Sequence, residues 1–560
     1  METRLLLAFV LVGIVLVGWN YIYKPPPPAV VPPAATTQAQ PAAPGAAQAP
    51  TNAIVLPPAP AADIPGQVQA SQAEEFNIET ELYKVRFSNQ GAVVRSWILK
   101  KYKDGQGKPL DLVNFKALTR VPAPFAVAFP SQAPPGDPNK GLYQVQRSDD
   151  QLGVTFEYSD GRTATKKTFQ FMPNSYLVAI TSQVSDNGVL VPHELTWRGG
   201  FGDQTLPAPA TVENALYYDE SSSKLIKNDL KSADKGPVTT SGQYSFAGIE
   251  DKYFTAVMLP ASGGGLTLTT YADPVVGSTG ADEKRMGAGA GGTGLNSLRA
   301  FIGPKDSDTL RSVDPKLDTL IDWGWFGFIA KPLFLVLRWT AVHATSNNFG
   351  WAIVLVTVVI NMVLFPLRFS SMRSAKKMQA LQPQIAALNA KYKDMPLRDP
   401  RKQEQQAEMM ELYKKHGVNP VGGCVPMLVQ LPFLYGYYKV LSVAVEMRGA
   451  SWLWIPDLSQ PEAGFFAALG PPIRLLPVVL ILTQFLQQKM TPSPGMDPAQ
   501  QKMMLLMPLV LGFMFYSQPA GLVLYYMTGG LVGITQQWLL NRGNPPQAVA
   551  VASAPAKKKK

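Results

Sequence analysis

The chain has 560 residues, more than one domain's worth, and 46% of them are hydrophobic. Its single cysteine, Cys424, excludes an internal disulfide framework, and His193, His343 and His416 are too scattered for a metal site. The net charge of +11 sits in two places: residues 368–416 hold eleven Lys/Arg against five Asp/Glu (+6), and residues 541–560 hold Arg542 and four lysines with no acid (+5). Both segments flank apolar runs, so the positive-inside rule puts both in the cytoplasm.

Residues 5–22 form an apolar run after Arg4. A cleaved signal peptide and an uncleaved anchor both fit. The run's length, its exit through Trp19, Tyr21 and Tyr23, and the lack of a nearby A-x-A site favour a transmembrane signal anchor over 1–24. Residues 25–73 contain thirteen Pro, fifteen Ala and no aromatic residue. They cannot bury enough apolar surface to fold and read as a disordered, partly polyproline linker.

From 74 to 312 the pattern changes. Alternating runs such as TELYKVRFS, GVTFEYS and KKTFQFM are separated by the turn signals KDGQGKP, SDGR and MPNS. This predicts an all-β sandwich, placed outside the cytoplasm, with a mobile Gly- and Ala-rich loop at 277–294. It carries no Gly-x-Ser-x-Gly elbow, zinc spacing or phosphate loop. Next, Leu317, Leu320, Ile321, Trp325 and Phe328 recur at helical spacing among Asp314, Lys316, Asp318 and Asp322. An amphipathic helix at 313–332, lying in the membrane interface, is expected; a helix packed on the sandwich is the alternative.

Residues 333–541 read as a membrane core with spans at about 349–367, 420–445, 473–488, 503–516 and 520–540. The second of these holds Gly422, Gly423, Pro426, Gln430, Pro432 and Gly436. Such a helix faces either a wet cavity or close helical neighbours rather than lipid. Between the first two spans, Met378, Leu381, Ile385, Leu388 and Tyr392 make a heptad-like stripe that MPLRDP interrupts. Asp399 and Pro400 can open a second helix and Gly417 can close it, giving a cytoplasmic helical hairpin over 368–417. A basic tail follows at 542–560. The fold class is therefore a multi-domain membrane protein: six transmembrane α-helices, an all-β sandwich outside, and both termini in the cytoplasm.

The span interiors carry almost no ionisable groups: Arg474 lies at an end, and Lys439 can snorkel to the outer interface. An ion-coupled transporter usually needs intramembrane carboxylates or histidines. Intramembrane proteolysis would need a Ser/His pair, paired Asp or a zinc motif, also missing from the spans. What remains are the uncharged polar residues Thr357, Asn361, Gln430, Thr483 and Gln484, suited to a water-filled groove.

Several long motifs then occur in order: FIGPKDSDTL with DWGWFGFIAKPLFLVL, NPVGGCVPMLVQLPFLYGYY, WIPDLS, QQKMTPSPGMDPAQQKMMLLMP and PAGLVLYY. Together, over nearly the whole chain, they resemble the YidC family of membrane protein insertases of Gram-negative bacteria. The resemblance implies an inner-membrane protein, multi-pass, that is not an enzyme and consumes no cofactor. It would insert and fold nascent membrane proteins through a hydrophilic groove, alone or with the Sec translocon, in contact with ribosome and membrane lipid. It implies groove roles for Thr357 and Gln430, and substrate contact for Tyr525 and Tyr526. It assigns cytoplasmic contacts to Arg373, Lys376, Lys377, Lys414 and Lys415, and ribosome or ribosomal RNA contact to Lys557, Lys558, Lys559 and Lys560. One departure stands out. Five residues before Pro366, where the family carries a groove arginine, this chain has Asn361, and after Pro366 and Leu367 it has Arg368 in place of a hydroxyl residue. Arg368 is thus expected either to supply the groove's charge from its cytoplasmic mouth or to be an ordinary interfacial arginine. Two other classes compete: a translocon-associated assembly chaperone without autonomous insertion, and an envelope enzyme whose sandwich acts on sugars.

Overall fold

The computed structural model describes residues 66–205, 213–261, 264–277, 280–366, 368–369, 377–378, 380–392, 401–417, 425–464, 473–490 and 498–542. The expected anchor, most of the Pro-rich linker, the MPLRDP break and most of the basic tail lie outside the described residues.

Among the described residues, twenty strands build three antiparallel sheets of eleven, five and four strands. The strand Thr163–Phe171 shows why. Its residues alternate between buried and half-buried, the period-2 pattern of a strand with one face on a core. It pairs with Gly153–Asp160 on one side and Leu177–Asp186 on the other. The SDGR turn before it is built as its residues require. The Asp160 carboxylate accepts the N–H groups of Arg162 (2.9 Å) and Thr163 (2.7 Å), and Gly161 adopts φ +89°.

The four-stranded sheet lies over one part of the large sheet, with Phe87 5.1 Å from Phe169 and 5.6 Å from Phe156. The five-stranded sheet covers another part, where Leu195 and Trp197 meet Met258 and Ile302. Lys167 ties the three together. Fully buried, its Nζ donates to the carbonyls of Gly91 (2.9 Å), Ala92 (3.2 Å) and Phe125 (2.9 Å). The first two lie in a turn of the four-stranded sheet, and the third enters the five-stranded one. Burial pushes the Lys167 ammonium down to about 7.

The stretch 277–294 is not a loop. Asp282–Thr293 is a strand inside the five-stranded sheet, paired with Leu266–Val276 and with His193–Trp197. Its small residues are a packing requirement: a Cβ at Gly289 would lie 2.6 Å from Glu194 Oε2, and one at Gly287 would lie 2.6 Å from Asp273 Oδ2.

A single helix over 313–332 does not form either. Asp306 caps α1 (Ser307–Val313) by accepting the Thr309 N–H at 3.0 Å. Asp314, extended because Pro315 follows it, caps a short 3₁₀ helix, Pro315–Leu320, whose Leu317 and Leu320 are fully buried. The backbone turns at Gly324 (φ +69°), and α2 (Gly327–Ala344) begins beyond it. The periodic apolar residues are thus divided between two elements. Asp318 binds Ser307 (2.6 Å), Arg311 (2.7 Å) and Lys331 (2.8 Å) across this junction. Burial opposes its ionisation, yet these bonds outweigh it and hold the carboxyl down to about 2.

Helix α3 (Phe349–Val363), capped by Asn348, meets α2 at 117°. Helices α4 (Gln382–Lys391) and α5 (Arg401–Lys415) run antiparallel. Leu381 and Ile385 pack with Leu412 and Tyr413, while Asn389 meets Gln405 at 2.8 Å. Gly417 closes α5 with φ +60°. Four more follow: α6 (Val425–Val443), α7 (Leu475–Met490), α8 (Pro498–Tyr516) and α9 (Ala520–Arg542). Helix α8 thus starts five residues before the apolar run that suggested a short span. No single described helix is long and apolar enough to cross a membrane by itself, although the bent pair α2–α3 is so together. The bundle core gathers Leu337, Ile353, Val356, Tyr437, Leu441, Leu480 and Leu524. Beyond α6, Arg448 pairs with Asp203 of the sandwich, donates to Lys103 O (2.9 Å) and lies over the Tyr253 and Phe254 rings. Lys439 pairs with Asp322 at 2.7 Å.

Candidate functional site

Four helices and the chain just beyond α3 enclose a cavity of about 230 Å³. Helix α6 contributes Gln430, Leu431 and Leu434, α7 contributes Gln484 and Gln487, and α8 contributes Leu511. Helix α9 contributes Tyr525 and Tyr526, then Gly529 and Gly530 one turn later. Among the described residues, Arg368 is the one charged residue in this lining. Its own N–H donates to Leu364 O at 3.1 Å, so the helical path continues past Pro366. Its Nη2 donates to Gln430 Oε1 at 2.8 Å. The lining therefore brings three amides, a guanidinium and two phenols together with three leucines.

The candidate residues separate into two shells. Arg368, Gln430, Tyr525 and Tyr526 line the cavity. Thr357 and Asn361 do not; they are 0% and 3% exposed, behind it. Thr357 donates to Ile353 O (2.5 Å) and lies 3.4 Å from the Tyr437 hydroxyl, whose ring stacks on Tyr525 at 4.1 Å. Asn361 Nδ2 donates to Thr357 O (2.7 Å), and Asn361 O accepts from Gln536 Nε2 (3.3 Å). Lys377, Lys414 and Lys415 are exposed near and on the paired helices α4 and α5. Arg373, Lys376, Lys557, Lys558, Lys559 and Lys560 lie outside the described residues. Gln487, Gly529, Gly530 and Gln536 were not singled out from the sequence. The amides of QFLQQ, three residues apart, and the Gly pair one turn after the Tyr pair were the available signals.

Two family models cover most of the chain: the YidC periplasmic domain over 75–336 and the 60Kd inner membrane protein over 341–547. A membrane protein insertase YidC of Pelobacter propionicus is 33% identical over 562 residues, covering 97% of this chain and 99% of the relative. The chain belongs to the YidC family of membrane protein insertases. The YidC of Bordetella pertussis is 33% identical over 511 residues, covering 86% of this chain and 85% of its own. A crystal structure of an active YidC insertase with its first transmembrane domain resolved aligns at 20% identity, covering 84% of this chain and 93% of that one, with a TM-score of 0.35. YidC membership implies an inner-membrane protein whose sandwich is a periplasmic domain. Chemically, the amides, phenols and guanidinium of this lining can donate hydrogen bonds to a guest and accept them from it.

Proposed function

We propose that the cavity is the groove in which this YidC insertase receives the polar portion of a nascent membrane protein from the cytoplasm. The observation that carries this reading is Arg368 seated on Gln430 in a cavity lined by amides, phenols and leucines. The guest's polar groups exchange water for the amides and the guanidinium. Its apolar helix then leaves into lipid, gaining about 25 cal/mol per Å² of apolar surface removed from water. In this reading Arg368 supplies the charge and Asn361 supports it from behind. Six spans place both termini, α4 and α5 in the cytoplasm, where the basic residues meet ribosome, ribosomal RNA or anionic lipid. The protein acts as insertase and folding chaperone, alone or beside the Sec translocon.

Purified protein in liposomes, given a small two-span substrate with an acidic tail, tests the reading. Autonomous insertion that falls at least tenfold in Arg368→Ala supports it. Insertion that needs added translocon favours the assembly chaperone, and undiminished insertion by Arg368→Ala refutes the charged groove. A reporter active only outside the cytoplasm, fused after Gly303, is expected to be active, and fused after Asp394 silent.

A further inference from the structure

Two buried amides behind the cavity are half-used. Asn361 commits its Nδ2 to Thr357 O and Gln536 commits its Nε2 to Asn361 O, which fixes both amide orientations. Their remaining oxygens, Asn361 Oδ1 and Gln536 Oε1, are buried without a partner among the described residues. The residues are 3% and 6% exposed. In a bundle interior an unmet acceptor is costly, and a donor with several N–H groups can serve more than one.

A suitable donor lies against the same helix, α9. Gly529, Gly533 and Gln536 fall on one face of that helix, at i, i+4 and i+7. A Cβ built at Gly529 would lie 3.9 Å from Asn361 Nδ2, and one built at Gly533 would lie 3.7 Å from Arg368 Nη1. The Asn361 amide and the Arg368 guanidinium therefore rest against the same glycine face, about one turn or roughly 6 Å apart. Gln536 starts from the next turn, and helical side chains lean toward the N-terminus, so its amide leans toward the guanidinium's level.

We propose that Asn361 and Gln536 are positioning residues that form a second, inner seat for the Arg368 guanidinium. The charge moves between Gln430, at the cavity, and the two amide oxygens behind it. A Cβ at Gly533 would lie 2.5 Å from Gln487 Nε2, so glycine there leaves room for the Gln487 amide beside the guanidinium's path. In the inner seat the guanidinium no longer holds Gln430, and the cavity is released to a guest; this consequence rests on the groove reading, but the seat itself does not.

The test uses thermal melting of the full chain in lipid nanodiscs, so it stands apart from any insertion assay. Gln536→Glu is made in the parent and in an Arg368→Gln background. A carboxylate in the inner seat captures the guanidinium, so the melting midpoint is expected to rise by about 2–4 °C in the parent and not in the Arg368→Gln background. Equal shifts in the two backgrounds overturn the proposal. If Gln536→Glu does not fold, Gln536→Leu replaces it: a loss that depends on Arg368 supports the seat, and an identical loss in both backgrounds refutes it. In the insertion assay Gln536→Glu is expected to fall at least tenfold while Gln536→Leu falls less. If the melting arm succeeds and this arm fails, the seat stands and the groove reading falls.

Discussion

In the sandwich, Lys167, Glu250, Asp273 and Lys305 are buried as ionisable groups with partners in place. Lys167 has three carbonyls, Glu250 has Lys305 at 3.1 Å and Lys227 at 2.6 Å, and Asp273 has Arg198 and the Gly199 N–H. In the bundle, Thr357, Asn361, Thr483 and Gln536 are buried uncharged, and two of them keep an unpartnered oxygen. The difference follows from the backbone. Turns and strand ends present free carbonyls that can be gathered round an ion. A helix uses its carbonyls internally, so a buried side chain there finds chiefly the carbonyl of residue i−4, as Thr357 and Asn361 do. The sandwich gathers partners round its buried ionisable groups, whereas the described lining of the bundle's cavity holds one charged side chain, Arg368, bonded to an amide.

The strongest way to break this contrast is to remove the ion at the sheets' meeting point. Lys167→Met strands three buried carbonyls and is expected to lower stability by about 3–5 kcal/mol, read from urea unfolding by tryptophan fluorescence. A loss below about 1 kcal/mol would mean that the carbonyls are satisfied otherwise. Next comes the Arg448–Asp203 pair, whose side chains are 7% and 2% exposed. Either Arg448→Ala or Asp203→Ala should lower stability by about 3 kcal/mol and open the sandwich's edge to protease, while the double substitution costs less than the two added. Strict additivity would show that the two charges do not interact.

Glu194 sharpens the contrast through pH. Burial pushes its carboxyl up to about 8, against the pull of the Thr269 hydroxyl, from an ordinary 4.5. A carboxyl raised on folding contributes fully below its unfolded value, and that contribution is lost as pH rises through about 8. Glu194→Gln should therefore match the parent near pH 4 and exceed it by about 2 kcal/mol at pH 9. A pH-independent difference would exclude titration of this group. The smallest effect is expected in the bundle. Thr357→Val loses one hydroxyl contact within its own helix and should cost about 0.6 kcal/mol. A loss several times larger would place Thr357 among the groups that hold Tyr437 and Tyr525 in register.

Much of the architecture was readable because period and punctuation are local. KKTFQF alternates as a strand, SDGR turns, and Gly417 ends a helix, each for reasons within a few residues. The misread stretches are those where a distant partner decides. The glycines at 287 and 289 look like loop residues, yet they are small because Asp273 and Glu194 press against them from neighbouring strands. The apolar spacing of 317–328 looks helical, yet Pro315 and Gly324 divide it, and the sandwich takes the first part. Of the candidate groove, Arg368, Gln430, Tyr525, Tyr526 and Asn361 were nameable from the sequence, whereas the pairing of Asn361 with Gln536 was not, because 175 residues separate them.

By itself the sequence determined the division into an all-β part and an apolar helical part, the location of the positive charge, and membership of the YidC family. These depend on composition, periodicity and order along the chain. Only the tertiary structure decided which polar residues share a cavity and which stand behind it, that Arg368 reaches Gln430, and that Lys167 joins three sheets. Those facts depend on which faces of distant elements meet, and the pairing of faces is settled by packing rather than by any local pattern.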